Sequence, residues 1–228
     1  MKYLPTIGTS LSGKLGGIVA SRSTHGAYFR SRVNPVNPNT TRQQRVRTAF
    51  ASAVTAWMSL SDAQRDVWDN YGANVPTVDR IGQSINLAGQ SWFIGSYTLA
   101  LDAGLTPVLD GPTIFNRGDE DPTIAFDVTV ATQTVDVAFD TNLDWVGEDD
   151  AAMLIFMSRP VSPSINFFKG PYQLAGVILG DQASPPTSPD TLSLPFACVA
   201  GNKLFGRAVI LRADGRYTSP FRGEDIAA

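Results

Sequence analysis

Two periods of hydrophobic spacing divide the chain. Between residues 41 and 103, apolar positions recur at intervals of three and four, the spacing of a helix with one buried face. Val46, Phe50, Ala53, Val54 and Trp57 form one such series, Ala63, Val67 and Tyr71 a second, and Leu87, Phe93, Ile94, Tyr97 and Leu101 a third. Thr40 with Gln43, or Thr41 with Gln44, makes a capping box that opens the first helix, and Ser61 with Gln64 opens the second. The second helix is expected to run from Ser61 to Tyr71 and stop near Gly72, and the third from Asn86 to Ala103 and stop at Gly104. Trp57 and Trp68 are placed to meet across the turn Ser59-Leu60, and Gly89, Gly95 and Ser96 leave room for close packing. The stretch Asn74 to Gln83, with Pro76 and Gly82, reads as a connector.

From Asp119 onward the period is two, the spacing of a strand with one buried face. Ile124, Phe126, Val128 and Val130 alternate, as do Val135, Val137 and Phe139. Met153 to Met157, the series Tyr172, Leu174, Ile178, and the runs Leu192 to Cys198, Leu204 to Arg212 and Tyr217 to Arg222 complete seven expected strands. A second β region precedes the helices. Lys14 to Val33 reads as a hairpin with its turn at Thr24-His25-Gly26, and alternation puts Tyr28, Arg30 and Arg32 on one face and Phe29, Ser31 and Val33 on the other. Met1 to Gly13 has no period and reads as an extended arm. The elbow Asn34 to Asn39 holds Pro35 and Pro38, which exclude helix there.

The expected fold class is therefore α+β. An N-terminal extended arm with a β-hairpin (1–40) leads to a three-helix module (41–106), then to an immunoglobulin- or fibronectin-III-like antiparallel β-sandwich (107–228). At 228 residues and 43% hydrophobic, the chain is long enough and apolar enough to bury a core.

Charge changes the picture. The net charge of -3 conceals eight Lys or Arg and no acid up to Arg47, so the remaining ten face all 21 acids: +8, then -11. Arg42, Arg45 and Arg47 crowd the first turns of the first helix, where the macrodipole opposes cations by roughly 0.3 to 1 kcal/mol each. They suggest a partner with acidic groups; otherwise they are solvated or meet Asp62, Asp66 and Asp69 of the next helix. The basic set Lys14, Arg22, Tyr28, Arg30, Arg32, Arg42, Arg45 and Arg47 is the expected partner-binding surface, and Trp57, Leu60 and Trp68 the structural anchor of the helices.

Candidate chemistry is sparse. His25 is the one histidine and Cys198 the one cysteine, which excludes an internal disulfide and Cys/His zinc spacing; Cys198 reads as a small core residue. Gly8, Gly13 and Lys14 begin a phosphate-loop pattern, but Leu15 stands where a hydroxyl is required and Pro5 interrupts any leading strand. The triplets Asp119-Glu120-Asp121 and Glu148-Asp149-Asp150 lack the spacing of a calcium loop and read as solvated turns. No nucleophile, base and orienting group share a motif, so no enzyme, metal or cofactor is expected. The longest apolar run, Ala151 to Met157, falls short of the ~20 residues of a membrane span, and no secretory segment is expected at the N-terminus.

The run LGGIVASRSTHGAYFRSRVNPVNPNT, then QQRVR, then LSDAQRDVW, resembles a family of proteins encoded by tailed bacteriophages and prophages. There a glycine-rich hairpin, an R-x-R strand, an N-P-x-T elbow and a W-x-x-L-[ST]-x-x-Q-R-x-x-W module precede a β-sandwich. Trp57, Leu60, Ser61, Gln64, Arg65 and Trp68 carry the last pattern here. The resemblance covers the first half of the chain closely and the second only as architecture. It implies a virion structural component of the head surface, head-to-tail junction or tail, assembled in a host cytoplasm, with other virion proteins and copies of itself as partners. Two alternatives stand beside it. The arginine arm, with Tyr28 and Phe29 to stack, suits nucleic acid, against which the acidic remainder argues. A glycan- or receptor-binding sandwich would use aromatics such as Phe167, Phe168 and Tyr172, provided they cluster.

Overall fold

The computed structural model describes residues 12–23, 26–34, 36–78 and 82–228. The expected arm up to Leu11 with Gly8, the turn at Thr24-His25 and the elbow's Pro35 lie outside the described residues. The chain is α+β and divides into two compact units, Met1–Gln44 and Arg45–Ala228.

Among the described residues of the first unit, three antiparallel strands form a sheet: β1 (Gly13–Leu15), β2 (Ile18–Ser23) and β3 (Gly26–Ser31), in that order. The expected hairpin has thus gained a strand. Gly16 and Gly17 form a two-residue connection between β1 and β2, and Gly16 takes φ +58°, which a side chain would resist. Beyond the sheet, Asn39 turns the chain with φ 49° into Thr40. Of the two expected boxes, the one used joins Thr40 and Gln43: the Gln43 N–H donates to Thr40 Oγ1 at 3.3 Å, and the Thr40 N–H to Gln43 Oε1 at 3.3 Å.

Helix α1 (Thr41–Ser59) continues into the second unit and is followed by α2 (Asp62–Asn74), whose N-cap Ser61 and Gln64 satisfy each other's backbone N–H as expected. Gly72 does not stop α2; it lies inside the helix, because a side chain there would meet the Leu87 carbonyl oxygen at 2.5 Å. The connector also holds more structure than its sequence suggests. β4 (Pro76–Val78) pairs with β5 (Ser84–Asn86), so α3 begins at Gly89 rather than Asn86 and runs to Ala103, closed by Gly104 in the left-handed region.

An aromatic cluster locks these helices together. Trp68 and Trp57 do not stack on each other; both rest on Phe93, at centroid distances of 5.5 and 5.4 Å. Tyr71 stands edge-on to Trp92 at 5.4 Å, and its hydroxyl donates to the Asn116 carbonyl at 2.9 Å. Burial raises the Tyr71 hydroxyl to a pKa of about 12, despite nearby Arg216 and Arg117. A raised phenol pKa favours the folded state fully below the ordinary value near 10, and that contribution is lost as pH climbs from about 10 through 12. Stability is therefore expected to fall over this window, by an amount on the order of 2 kcal/mol from Tyr71. Urea unfolding at pH 8, 10 and 11.5 checks this; Tyr71→Phe should flatten the alkaline slope, and an unchanged slope would refute the assignment.

Seven strands form two further sheets. β6 (Ala125–Thr129), β7 (Thr134–Ala138) and β10 (Asp190–Ser193) make one, in the order β10-β7-β6. The other is β12-β11-β8-β9, from β8 (Ala152–Ser158), β9 (Tyr172–Leu179), β11 (Lys203–Leu211) and β12 (Phe221–Ile226). Phe126, Val128, Val135 and Val137 of the first sheet share one core with Met153, Ile155, Ala208 and Ile210 of the second. The far face of the four-stranded sheet is apolar too. There Ala152, Leu154 and Leu211 pack with Ala100 of α3, so helices and sheets meet in a shared core across residue 106.

Several strand expectations are corrected. Leu174 and Ile178 do not share a face, because a bulge between Ile155 and Phe156 pairs Leu174 with Phe156 but Gly176 with Ile155. Leu174 then joins the core against α3, and Ile178 the core between the sheets. The strand at Leu192 ends at Ser193, and Cys198 reaches the core from irregular chain, its N–H donating to Gln133 Oε1 at 2.8 Å. The last strand starts at Phe221, not Tyr217, which leaves Tyr217 to pack on Trp92 at 5.1 Å. In the acidic turns Asp119, Glu120, Asp149 and Asp150 are exposed, as expected, while three of the six acids also serve as structural acceptors. Asp121 is buried and accepts from the Thr123 and Asp140 N–H groups, Glu148 pairs with Arg212, and Asp149 accepts from Gln182 N–H at 2.8 Å.

Candidate functional site

The residues expected to bind partners begin on the N-terminal sheet, whose register sorts them by face. Lys14 lies opposite Val19, and Val19 opposite Arg30, so Lys14 and Arg30 flank one row. Tyr28, two residues on, and Arg32, just past β3, lie on the same side. Arg22, paired with Ala27, belongs to the other side, and the register separates it from the remaining cations.

Away from Arg22, that other side carries an apolar patch. Leu15 pairs with Ile18, and Ala20 with Phe29, around a shallow groove of about 330 Å³. Leu15 is 86% exposed and Ile18 52%. Sequence reasoning missed this face because Gly13–Leu15 had not been read as a strand; the signal was Gly16-Gly17 between Leu15 and the apolar pair Ile18-Val19. The first unit carries six Lys or Arg and no acid, and the second twelve against 21 acids, so the units are +6 and -9.

The helix arginines divide. Arg45 meets Asp102 Oδ1 at 3.2 Å, in place of the Asp62, Asp66 and Asp69 considered from sequence. Each charge of this pair sits at the unfavourable end of its own helix, Arg45 early in α1 and Asp102 in the last turn of α3, so pairing offsets both penalties. Arg42 is half-buried and Arg47 exposed. On α1 the expected apolar face is only partly covered: Ala53 is buried, Val54 and Trp57 half-buried, while Val46 and Phe50 are 49% and 54% exposed. Trp57, Leu60 and Trp68, expected as anchors, belong to the aromatic cluster, Leu60 and Trp68 fully within it.

A second surface lies on the outer face of the four-stranded sheet, where sequence reasoning had placed no site. Arg207 and Arg222 face each other directly across β11 and β12. Beside them Phe168 stacks on Phe205, with centroids 5.8 Å apart and planes 13° apart, and Tyr172 stands edge-on to Phe168 at 5.3 Å. The Tyr172 hydroxyl donates to the Phe168 carbonyl at 3.1 Å, fixing the loop that carries Phe167. The aromatics thus cluster, while the arginines come together only through strand pairing, which no short motif encodes.

Among the described residues no His, Cys, Asp and Glu side chains group to hold a metal ion, and no helix is long and apolar enough to cross a membrane. No protein-family model matches the chain, and no curated protein does. Among solved structures, an Fn3-like protein from Clostridium thermocellum is similar over 49% of this chain and 93% of that one, at 10% identity and a TM-score of 0.31.

Proposed function

We propose that the protein is a non-enzymatic assembly subunit, a structural component of a tailed-phage particle, which joins copies of itself and neighbouring virion proteins through its N-terminal sheet and the exposed start of α1. On this reading residues 107–228 are an immunoglobulin- or fibronectin-III-like sandwich. Its strand order supports that, since β7 crosses to β8 in the opposite sheet and β9 crosses back to β10, a Greek-key path.

The observation that carries the proposal is the two-faced sheet of the first unit. Covering an exposed leucine or isoleucine contributes about 1.5 to 3 kcal/mol, whereas a surface ion pair contributes up to about 1 kcal/mol. Leu15 and Ile18 therefore supply affinity, and Lys14, Arg30 and Arg32 direction. The occupant is a second copy, because a +6 unit and a -9 unit of one chain are complementary. Nucleic acid is disfavoured by the same -9, which repels phosphate.

Sedimentation velocity tests this. The full chain is expected to self-associate in low salt, and the double variant Leu15→Glu, Ile18→Glu to sediment as a monomer with an unchanged circular dichroism spectrum. A monomeric wild type would refute self-docking. Tight duplex DNA binding, weakening by about 0.9 log unit per log unit of salt for each phosphate contacted, would favour the nucleic-acid reading instead. Mass spectrometry of purified particles tests the setting: absence of the chain from them would overturn the virion assignment.

A further inference from the structure

We propose that the outer face of the four-stranded sheet, between the Arg207–Arg222 pair and the Phe168–Phe205 stack, is a binding site for a carboxylated sugar. The reading is independent of the assembly function, since every residue in it belongs to the second unit.

The starting point is an arrangement that the free protein leaves uncompensated. Two guanidinium groups face each other across adjacent strands, and like charges directly opposite are destabilising. Among the described residues neither arginine has a carboxylate within ion-pair distance; Glu224, two residues from Arg222 on the same strand, is held by Lys203 at 2.7 Å. The Arg207 Nε is buried and has no hydrogen-bond partner. The Arg207 guanidinium lies over the Phe156 ring, 5.8 Å from its centroid, a cation–π contact that supplies no hydrogen-bond acceptor. Burial and the Arg222 charge lower the Arg207 pKa, against a smaller opposing effect of Tyr172. Two cations so placed, with no carboxylate between them, favour an anion at the exposed member of the pair, Arg222.

The surroundings select which anion. A cleft of about 250 Å³ opens beside Arg222, lined with it by Phe167, Phe168, Tyr172, Phe205 and Glu224. Phe167 is 69% exposed, a cost in water that a flat C–H-bearing ring face would relieve. A sugar ring offers such a face, hydroxyls for the acceptor Glu224, and, when it is a uronic or sialic acid, one carboxylate for the fork of donors on Arg222. An aliphatic acid would leave the aromatic wall unused. A phosphate polymer would bring many charges to a unit of net -9, where one localised anion is matched by one arginine pair.

Isothermal titration of the full chain with galacturonic-acid and sialic-acid oligosaccharides, their neutral counterparts and a single-stranded oligonucleotide tests the assignment. At least one acidic sugar is expected to bind tenfold or more tightly than its neutral counterpart. Arg222→Gln should remove that preference, and Phe167→Ala should weaken acidic and neutral sugars alike by about tenfold. Both side chains are at the surface, so an unchanged melting curve will show that the variants fold. Equal binding of neutral sugars, tighter binding of the oligonucleotide, no binding of any acidic sugar, or full binding by Arg222→Gln would each overturn the proposal.

Discussion

Trp68→Ala is expected to lower the unfolding free energy by about 3 to 5 kcal/mol, the range for an aromatic side chain deleted from a core. Trp68 is 0% exposed, stands edge-on to Phe93 and Tyr71, and donates its indole N–H to the Leu109 carbonyl at 3.0 Å. Truncation therefore opens a cavity and removes the hydrogen bond to the Leu109 carbonyl, and the two losses add. Trp57→Ala should cost less, because Trp57 is half-buried and its main ring contact, Phe93, keeps Trp68 on another side. Urea titration followed by circular dichroism gives both values. Equal stability of Trp68→Ala and wild type would contradict the aromatic cluster as the anchor of the helices.

Gly89→Ala is expected to cost about 1 to 3 kcal/mol or more by overpacking, although it adds a single methyl group at the start of a helix. The added carbon would run into the Trp68 and Asp69 backbone and meet the Asp69 carboxylate at 2.5 Å. Backbone inside a helix cannot yield as a flexible side chain does, so α3 would have to lift from α2. The Gly89 N–H would then also lose its 3.1 Å bond to Asp69 Oδ1. A melting-temperature drop of about 2 to 4 °C per kcal/mol is the readout for a unit of this size. Gly104→Ala makes a comparison, since open space surrounds Gly104 and only its φ of +78° opposes a side chain. A melting temperature for Gly89→Ala equal to that of wild type would show that α2 and α3 are not in this close contact.

Local signals were legible in the sequence and long-range ones were not. Both capping boxes, the close approaches at Gly89 and Gly95, and the alternation of β6 and β7 follow from side-chain types within a few residues of one another. Gly72 was misread because a glycine after an apolar series signals a helix end as readily as a close contact, and only the position of Leu87 decides between them. β12, with Arg222, Glu224 and Asp225, lacks apolar alternation because it lies at a sheet edge; Asp225 spends its charge on the Val128 N–H at 2.7 Å. The bulge in β9 adds a residue that no alternation count anticipates. For the candidate sites, the basic face of the N-terminal sheet was readable from R-x-R spacing. Its apolar reverse needed the β1–β2 pairing, and the Arg207–Arg222 pair needed the β11–β12 register.

Tyr217 belongs to two lineages of structure at once. Its backbone bridges to Leu211 of the sheet, its ring lies on Trp92 of α3 against Gly95, and Arg117 is held between the Tyr217 and Trp92 rings, 5.8 and 5.1 Å away. Neither half of the second unit is therefore a portable part. A recombination event that exchanged residues 107–228 for a foreign set of strands would inherit helices with a glycine seat cut for one tyrosine.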